Sequence, residues 1–527
     1  MLLEITIGVL ILVGLFYLYL KTKWTYWSKQ DVYTIAPTFP FGSVTSFFTK
    51  KEHLNDAFLK HAKETENLPY YGIYFLGGPS LVLNDVELIR KVLVKDFDHF
   101  VNRNGDGISK IMSGNSRSDQ IWKRQLTALR GDDWKKLRST FTPIFTSGKM
   151  RAMMIFMQET IRKLNNELDG FVSTGESFEL KESMGKYTMD TLASCAFGID
   201  AQSFTNKDSL FIKYAASFSK QSIKDAIKFL VLMVVPGGKK IFEIFKLSIT
   251  KEIETEFFYQ VVTSALDQRR KSKTRRNDLI DMMVDAVKGD LKHDQDGELE
   301  QFEKDGKLNH VSKKGECNEL DIVATAIVFL AAGLDTTGTT LAYACYELAK
   351  NPDVQNRLRE EVNEITNDSD KDLTYDDLNK MTYLDQVISE SLRKLSPLAA
   401  IRRNCVKDYP VPGTDIIISR GNDVWINTLA LHMSPKHYAN PEAFDPEHFS
   451  KEAKSKRSPY AYLPFGQGPR NCIGMRFALI EAKLGLANIV RNFNLIPSEK
   501  TQDPLVYDPV AAINYVKNGL FLKAEKI

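Results

Sequence analysis

Apolar residues recur at intervals of three and four along most of the chain, the spacing that places them on one face of a helix. The segments "DWKKLRSTF", "MRAMMIFMQETIRKLNNEL", "IVATAIVFLAAGLDTTGTTLAYACYELAKN" and "LDQVISESLRKL" all carry it. Runs suited to strands are few and short: "YYGIYFL", "PSLVL" just after it, and "DIIIS" around Ile416 to Ile418. The pattern predicts a mainly α fold with small β-sheets. No sequence repeat of fixed period is evident, which disfavours solenoids and propellers.

Two segments break the rhythm. "LLEITIGVLILVGLFYLYL", Leu2 to Leu20, is almost wholly apolar and just long enough to span a bilayer as a helix. Lys21 and Lys23 follow, then Trp24, Tyr26 and Trp27, a flank suited to a membrane interface with the body of the protein on the cytosolic side. No basic segment precedes the run and no small-residue cleavage site follows it, so an uncleaved anchor is expected. "TIAPTFPFG" comes next, with Pro37, Pro40 and Gly42 reading as a stiff hinge. The expected organisation is therefore an anchor at 1–20, a flank and hinge at 21–50 and a catalytic domain at 51–527. Lys271 to Glu319 is rich in charge and thin in apolar residues, and reads as a long exposed connection.

Charge adds one exclusion. Among 527 residues, 70 basic and 67 acidic side chains leave a net charge of +3, which gives no footprint for nucleic acid. The five cysteines, Cys195, Cys317, Cys345, Cys405 and Cys472, are scattered without a C-x-x-C pair or a Cys/His cluster. That disfavours a zinc site and a disulfide framework alike.

Four motifs carry candidate chemistry. "FGQGPRNCIG", Phe465 to Gly474, sets one cysteine in a loop of glycines with an arginine. "AAGLDTT", Ala331 to Thr337, places a glycine, an acid and two hydroxyls in the middle of an apolar helix. There the threonines either bond back to carbonyls one turn earlier, or Gly333 opens the helix beside a ligand. In "ESLR", Glu390 and Arg393 share a helix face, as do Trp134 and Arg138 in "WKKLR".

Taken together and in this order, the anchor, the proline hinge, "WKKLR", "AGLDTT", "ESLR", "FDPEHF" and "FGQGPRNCIG" resemble a cytochrome P-450 of the membrane-anchored microsomal type. The last stretch fits the family's pattern Phe-x-x-Gly-x-Arg-x-Cys-x-Gly at every fixed position. The resemblance implies the cytochrome P-450 fold, with haem b held between a long central helix and the cysteine-ligand loop. It implies a haem-thiolate monooxygenase acting on a lipophilic substrate, either a xenobiotic or an endogenous lipid or steroid.

The roles that follow are those of the family. Cys472 is the axial ligand to iron, Phe465 shields it, and Gly474 lets the backbone approach the porphyrin. Trp134, Arg138 and Arg470 hold the propionates, joined by Arg403 in preference to Arg402. Ala332 and Gly333 face the haem, and Asp335 and Thr336 deliver protons to bound oxygen. Glu390 and Arg393 form a buried structural network whose third member in the family is an arginine; here His448 stands in that position.

Electrons are expected from an NADPH-dependent cytochrome P-450 reductase in the same membrane, the endoplasmic reticulum, with cytochrome b5 as a further donor. Lys135, Lys454, Lys456 and Arg457 offer basic contacts for it. Candidate substrate-lining segments are Phe100 to Gln125, Ile227 to Phe245, Leu398 to Ile401 and Ala511 to Tyr515. The alternative is a haem-thiolate isomerase or dehydratase acting on peroxides without a reductase.

Overall fold

A computed structural model describes residues 2–103, 116–206, 208–218, 223–234, 238–245, 247–248, 250–272, 275–291, 317–367, 371–509 and 513–527. Its strands are β1 (Tyr70–Phe75), β2 (Gly78–Leu83), β3 (Phe178–Glu179), β4 (Ala400–Asn404), β5 (Tyr409–Pro410), β6 (Ile417–Ile418), β7 (Asp423–Asn427), β8 (Phe493–Pro497) and β9 (Phe521–Lys526). The chain divides into two compact units, each assembled from three stretches.

The first unit comprises Met1–Gly114, Ile223–Ile249 and Ala399–Leu431. Its centre is a four-stranded sheet in the order β1-β2-β7-β4. β1 and β2 form an antiparallel hairpin whose two turn residues, Leu76 at φ 50° and Gly77 at φ 81°, both adopt left-handed backbone. Such a turn matches the twist of the strands it joins. β7 runs parallel to β2 and antiparallel to β4. Alternate side chains of the sheet, Tyr71, Ile73, Val82 and Trp425, meet Ile35 and Phe58 in an apolar cluster. β5 and β6 form a separate small hairpin.

The Leu2–Lys23 helix belongs to this unit and is exposed along most of its length, long and apolar enough to cross a bilayer. Its C-terminal end is clamped to the sheet. Trp27 is fully buried against Gly72, where any side chain would meet the indole at 2.6 Å, so only glycine fits. The Tyr74 hydroxyl donates to the Trp24 carbonyl at 2.7 Å. The proline connector is tied to the sheet and to the helix before it. The Ile35 and Ser43 amides donate to the Gly72 and Tyr74 carbonyls at 3.0 and 2.8 Å. Phe39 packs edge-on against Phe16 and Tyr17.

The second unit comprises Asn115–Ser222, Thr250–Leu398 and His432–Ile527, and is mainly helical. Its axis is the central helix, Glu319–Lys350, opened by a capping box between Asn318 and Asp321. This helix is also apolar enough to pass for a membrane span, yet most of it is buried, as the core helix of a globular unit should be. The Leu180–Leu192, Thr382–Lys394 and Met475–Asn492 helices pack around it. Gly338 permits a close approach: a Cβ there would stand 3.2 Å from the Thr188 hydroxyl. β3, β9 and β8 form a three-stranded sheet at the unit's edge.

The mainly helical fold with small sheets is as expected. Lys271 to Glu319 departs from expectation, because Leu279–Lys288 is a helix burying Leu279, Ile280, Met282 and Met283. Asp278 caps it from a fully buried position, ion-paired with Arg269 at 2.5 Å. The surrounding charges mask a short apolar face when composition alone is read. Residues 292–316 lie outside the described residues, as do 104–115, 235–237 and 511–512 of the expected lining segments.

Candidate active site

The cysteine loop owes its shape to two glycines. Gly466 and Gly468 sit at φ 70° and 74°, backbone that other residues rarely adopt. The turn they make lets the Cys472 amide donate to the Phe465 carbonyl at 2.8 Å and the Asn471 amide to the Gly468 carbonyl at 3.0 Å. Gly474 then caps the Met475–Asn492 helix, so Cys472 lies just before a helix N-terminus. Cys472 is partly exposed. By contrast, burial pushes the Cys345 thiol up to about 12, the Cys405 thiol up to about 11 and the Cys195 thiol well above its usual range. Those three are neutral thiols of the interior. Cys317 is partly exposed too, but its sulfur lies 3.4 Å from the Thr140 hydroxyl, away from any such loop.

Three residues singled out in the sequence converge on this loop. Arg138 is buried and donates from Nη1 to the Asn471 carbonyl at 2.9 Å and from Nη2 to Asn471 Oδ1 at 2.7 Å. Arg470, also buried, lies over the Trp134 ring at 4.3 Å and donates to the Leu129 carbonyl at 2.5 Å. Asn471, which sequence reasoning passed over, is thus the residue through which the Gly131–Phe141 helix grips the cysteine loop.

The middle of the central helix is unlike its ends. Ala332 is exposed, and Gly333, Asp335 and Thr336 are half-buried, between flanks that are almost wholly buried. The helix nevertheless runs unbroken. Gly333 does not open it; the missing side chain makes room for Leu192, whose methyl would lie 3.1 Å from a Cβ. The Thr336 hydroxyl donates to the Ala332 carbonyl at 2.8 Å, and Thr340 repeats the pattern on Thr336. Both are the back-bonding arrangement.

Glu390, Arg393 and His448 come together as a network in which Glu390 and Arg393 are fully buried and His448 is nearly so. Arg393 donates Nε and Nη2 to the two Glu390 oxygens at 2.7 Å each, and extends Nη1 to the His432 carbonyl and Nη2 to that of Ala443. The Asp445 amide and His448 Nδ1 also reach Glu390, at 2.9 and 3.1 Å. Burial works to raise the Glu390 carboxyl, but the Arg393 and His448 hydrogen bonds prevail and hold it below the ordinary value. Arg457, grouped with surface lysines by sequence, instead lies over Tyr438 at 4.3 Å and donates to the His448 carbonyl.

In the first unit, β4 separates Arg402 from Arg403 by the alternation of its side chains. Arg402 pairs with Asp423 on β7. Arg403 is buried, and its Nε has no hydrogen-bond partner among the described residues. Burial, with Arg103 adding to it, lowers its guanidinium to about 9. A cation in that position suits an anionic group.

These features fit haem. The accessible thiol stands on a shaped loop, a Cβ at Gly474 would meet open space, and Ala332 leaves the central helix uncovered at its midpoint. Within the second unit, the buried Arg138 and Arg470 guanidinium groups match a ligand with two carboxylates. Comparison with known proteins agrees. The sequence model of the cytochrome P-450 family matches residues 36–520. Cytochrome P-450 6k1 of Blattella germanica is 33% identical over 504 residues, covering 96% of this chain and 93% of its own. Probable cytochrome P-450 6a13 of Drosophila melanogaster is 34% identical, covering 96% of each chain. Cytochrome P-450 9e2 of Blattella germanica is 34% identical, covering 96% of this chain and 95% of its own. The chain therefore belongs to the cytochrome P-450 family of haem-thiolate monooxygenases.

Proposed function

We propose that Cys472 is the axial thiolate and that the residues around it serve a monooxygenase inserting one oxygen atom from O2 into a lipophilic substrate. The observation that carries this assignment is the partly exposed Cys472 thiol at the end of a glycine-shaped loop, where the amides of a following helix favour negative sulfur. Bound haem supplies oxygen binding and activation, with electrons originating in NADPH and passed on by a reductase. Arg470, held flat by Trp134, and Arg138 offer planar donors for propionates, and Arg403 takes the same role by its family position.

Thr336 directs its hydroxyl proton to the Ala332 carbonyl, which leaves its oxygen lone pairs to accept from, and orient, a water. Asp335, half-buried on the same turn, is the carboxylate of the same relay. The exposed apolar helix at Leu2–Lys23, with Lys21 and Lys23 at its end, supports anchoring in the endoplasmic reticulum with the body on the cytosolic face. NADPH-cytochrome P-450 reductase is the proposed electron donor and cytochrome b5 a second one. The exposed side chains of Ile227, Ile244 and Phe245 support lipid contact, and with it a substrate drawn from the membrane phase.

The decisive test is Cys472→Ser in the full-length protein reconstituted with reductase. Loss of the red-shifted band of the reduced carbon-monoxide complex and of NADPH-dependent oxygenation is expected; retention of that band would remove Cys472 from the iron. Turnover of organic peroxides with no oxygenation when NADPH and reductase are supplied would favour the isomerase instead.

A further inference from the structure

Two histidines of the Glu390 network face opposite kinds of partner. His448 directs Nδ1 to the Glu390 carboxylate at 3.1 Å and Nε2 to the Ala439 carbonyl at 2.6 Å. Both partners only accept. A neutral imidazole carries one N–H and one lone pair, so either tautomer would set a lone pair against an oxygen. Only the doubly protonated ring satisfies both contacts.

His432 is the reverse. Its Nε2 accepts from the Leu463 amide at 2.9 Å, and so must keep its lone pair. Its Nδ1 is buried without a hydrogen-bond partner among the described residues, and its carbonyl holds Arg393. Protonating Nε2 would break the Leu463 bond and place a second cation beside that guanidinium.

We propose that His448 is a positioning residue kept as an imidazolium and His432 its neutral counterpart, and that together they give the support of the cysteine loop an optimum pH, with a loss on either side. The route is a chain of hydrogen bonds. His448 and Arg393 share Glu390; Arg393 binds the His432 carbonyl; the His432 ring holds the Leu463 amide; and the Leu463 carbonyl accepts from the Gly466 amide at 3.1 Å, within the loop that ends at Cys472.

The surrounding charges agree with the geometry. The Glu390 hydrogen bond, opposed by burial and by Arg393, raises His448 above the ordinary imidazole value. Burial, reinforced by Arg393 and Arg457, lowers His432 to about 3. The other titratable or charged neighbours are Tyr438, whose ring lies 5.6 Å from His448, Tyr462, whose ring lies 5.4 Å from His432, and the Arg357–Glu447 pair beside His448. Both tyrosines are raised by burial and stay neutral through the range concerned.

The sign of each effect follows from linkage. The stabilisation from His448 is complete below the unfolded imidazole value, about 6.5, and is lost as pH rises through its raised folded value. That from His432 is complete above about 6.5 and is lost as pH falls toward its lowered folded value. The two together peak near pH 6.5, and each pH unit away from it lowers the folded ratio by up to about tenfold per histidine.

The test uses the full-length holoenzyme, scanned thermally between pH 5.5 and 9 with two readouts, circular dichroism for unfolding and the reduced carbon-monoxide band for thiolate ligation. The second readout rests on Cys472 as ligand; the first does not. His448→Arg should flatten the alkaline side while leaving the acid side, because arginine keeps its charge. His448→Gln, which fits the space more easily, should be less stable at pH 6.5 and equally flat above it. His432→Asn should flatten the acid side alone. An alkaline decline unchanged in both His448 variants would overturn the imidazolium assignment. Profiles that change by circular dichroism but not in the thiolate band would overturn the link to the cysteine loop.

Discussion

Separating Arg138 from Asn471 should loosen the cysteine loop without touching the cysteine. Arg138 is buried and gives two bonds to one residue, at 2.9 Å to the backbone carbonyl and 2.7 Å to the side-chain oxygen. A hydrogen bond from a charged donor contributes roughly 1.5–3 kcal/mol. Asn471→Ala removes only the second bond, so a loss of about 1.5–3 kcal/mol is expected. Arg138→Leu removes both and leaves the Asn471 carbonyl buried without this donor. Because the two bonds leave one rigid fork they do not add fully, and roughly 3–4 kcal/mol is expected.

The informative quantity is the coupling. If Arg138 acts through Asn471, the double variant should be little worse than Arg138→Leu, giving an interaction energy of about 1.5 kcal/mol or more. For a chain of this length 1 kcal/mol moves the unfolding midpoint by about 1 °C, so shifts of a few degrees must be resolved at one fixed scan rate. The assay is thermal loss of the reduced carbon-monoxide band alongside circular dichroism on the holoenzyme. Should Asn471→Ala leave both midpoints unchanged while Arg138→Leu lowers them, Arg138 serves the propionates alone and the loop-gripping argument is wrong.

Cys317→Ser should keep the thiolate band that Cys472→Ser loses, since Cys317 contacts Thr140 rather than the glycine loop; the reduced carbon-monoxide spectrum decides. Thr336→Ala removes one back-bond and retains helix propensity, so haem content should hold while product per NADPH falls and hydrogen peroxide rises; unchanged coupling with a confirmed substrate would return Thr336 to a structural role. Deleting Met1 to Leu20 should release much of the protein from membranes with haem retained, but with a lowered midpoint, because Leu20 seals Gly77 and Phe16 packs on Phe39. Glu481 is fully buried on the Met475–Asn492 helix, and burial pushes its carboxyl well above the ordinary range, the Thr337 hydroxyl offsetting this in part. Its contribution is therefore lost as pH rises above about 4.3, and Glu481→Gln should raise the unfolding midpoint at pH 7.5, with the gain shrinking as the medium is acidified.

What could be read from the sequence depended on whether a residue's partner lay nearby in the chain. The cysteine loop was legible because Gly466 and Gly468 are needed for left-handed backbone within six residues of Cys472, a requirement the local sequence displays. Glu390 and Arg393 were legible because helical spacing makes them neighbours. Their remaining partners were not: the carbonyls of His432 and Ala443 and the amide of Asp445 are backbone groups that no side-chain pattern announces. β7 escaped notice because four of the five residues in "DVWIN" are buried, which erases the alternation that marks a half-exposed strand. Asn471 looked like a spacer between Arg470 and Cys472, since its role depends on a helix more than three hundred residues earlier.

The same distinction explains why the departure at His448 could be seen in the sequence but not understood there. Replacing a family arginine by histidine suggests a weaker and conditional cation, and residue type goes no further. Whether the cation survives depends on both ring nitrogens meeting acceptors, and one of those acceptors, the Ala439 carbonyl, is again backbone. His432 has the same side chain and stays neutral because a backbone amide meets it instead. Electrostatic roles in this network are therefore assigned by main-chain groups that the fold delivers. A substitution that shifts Ala439 or Leu463 by a few tenths of an ångström should alter the histidines' titration as surely as changing the histidines themselves.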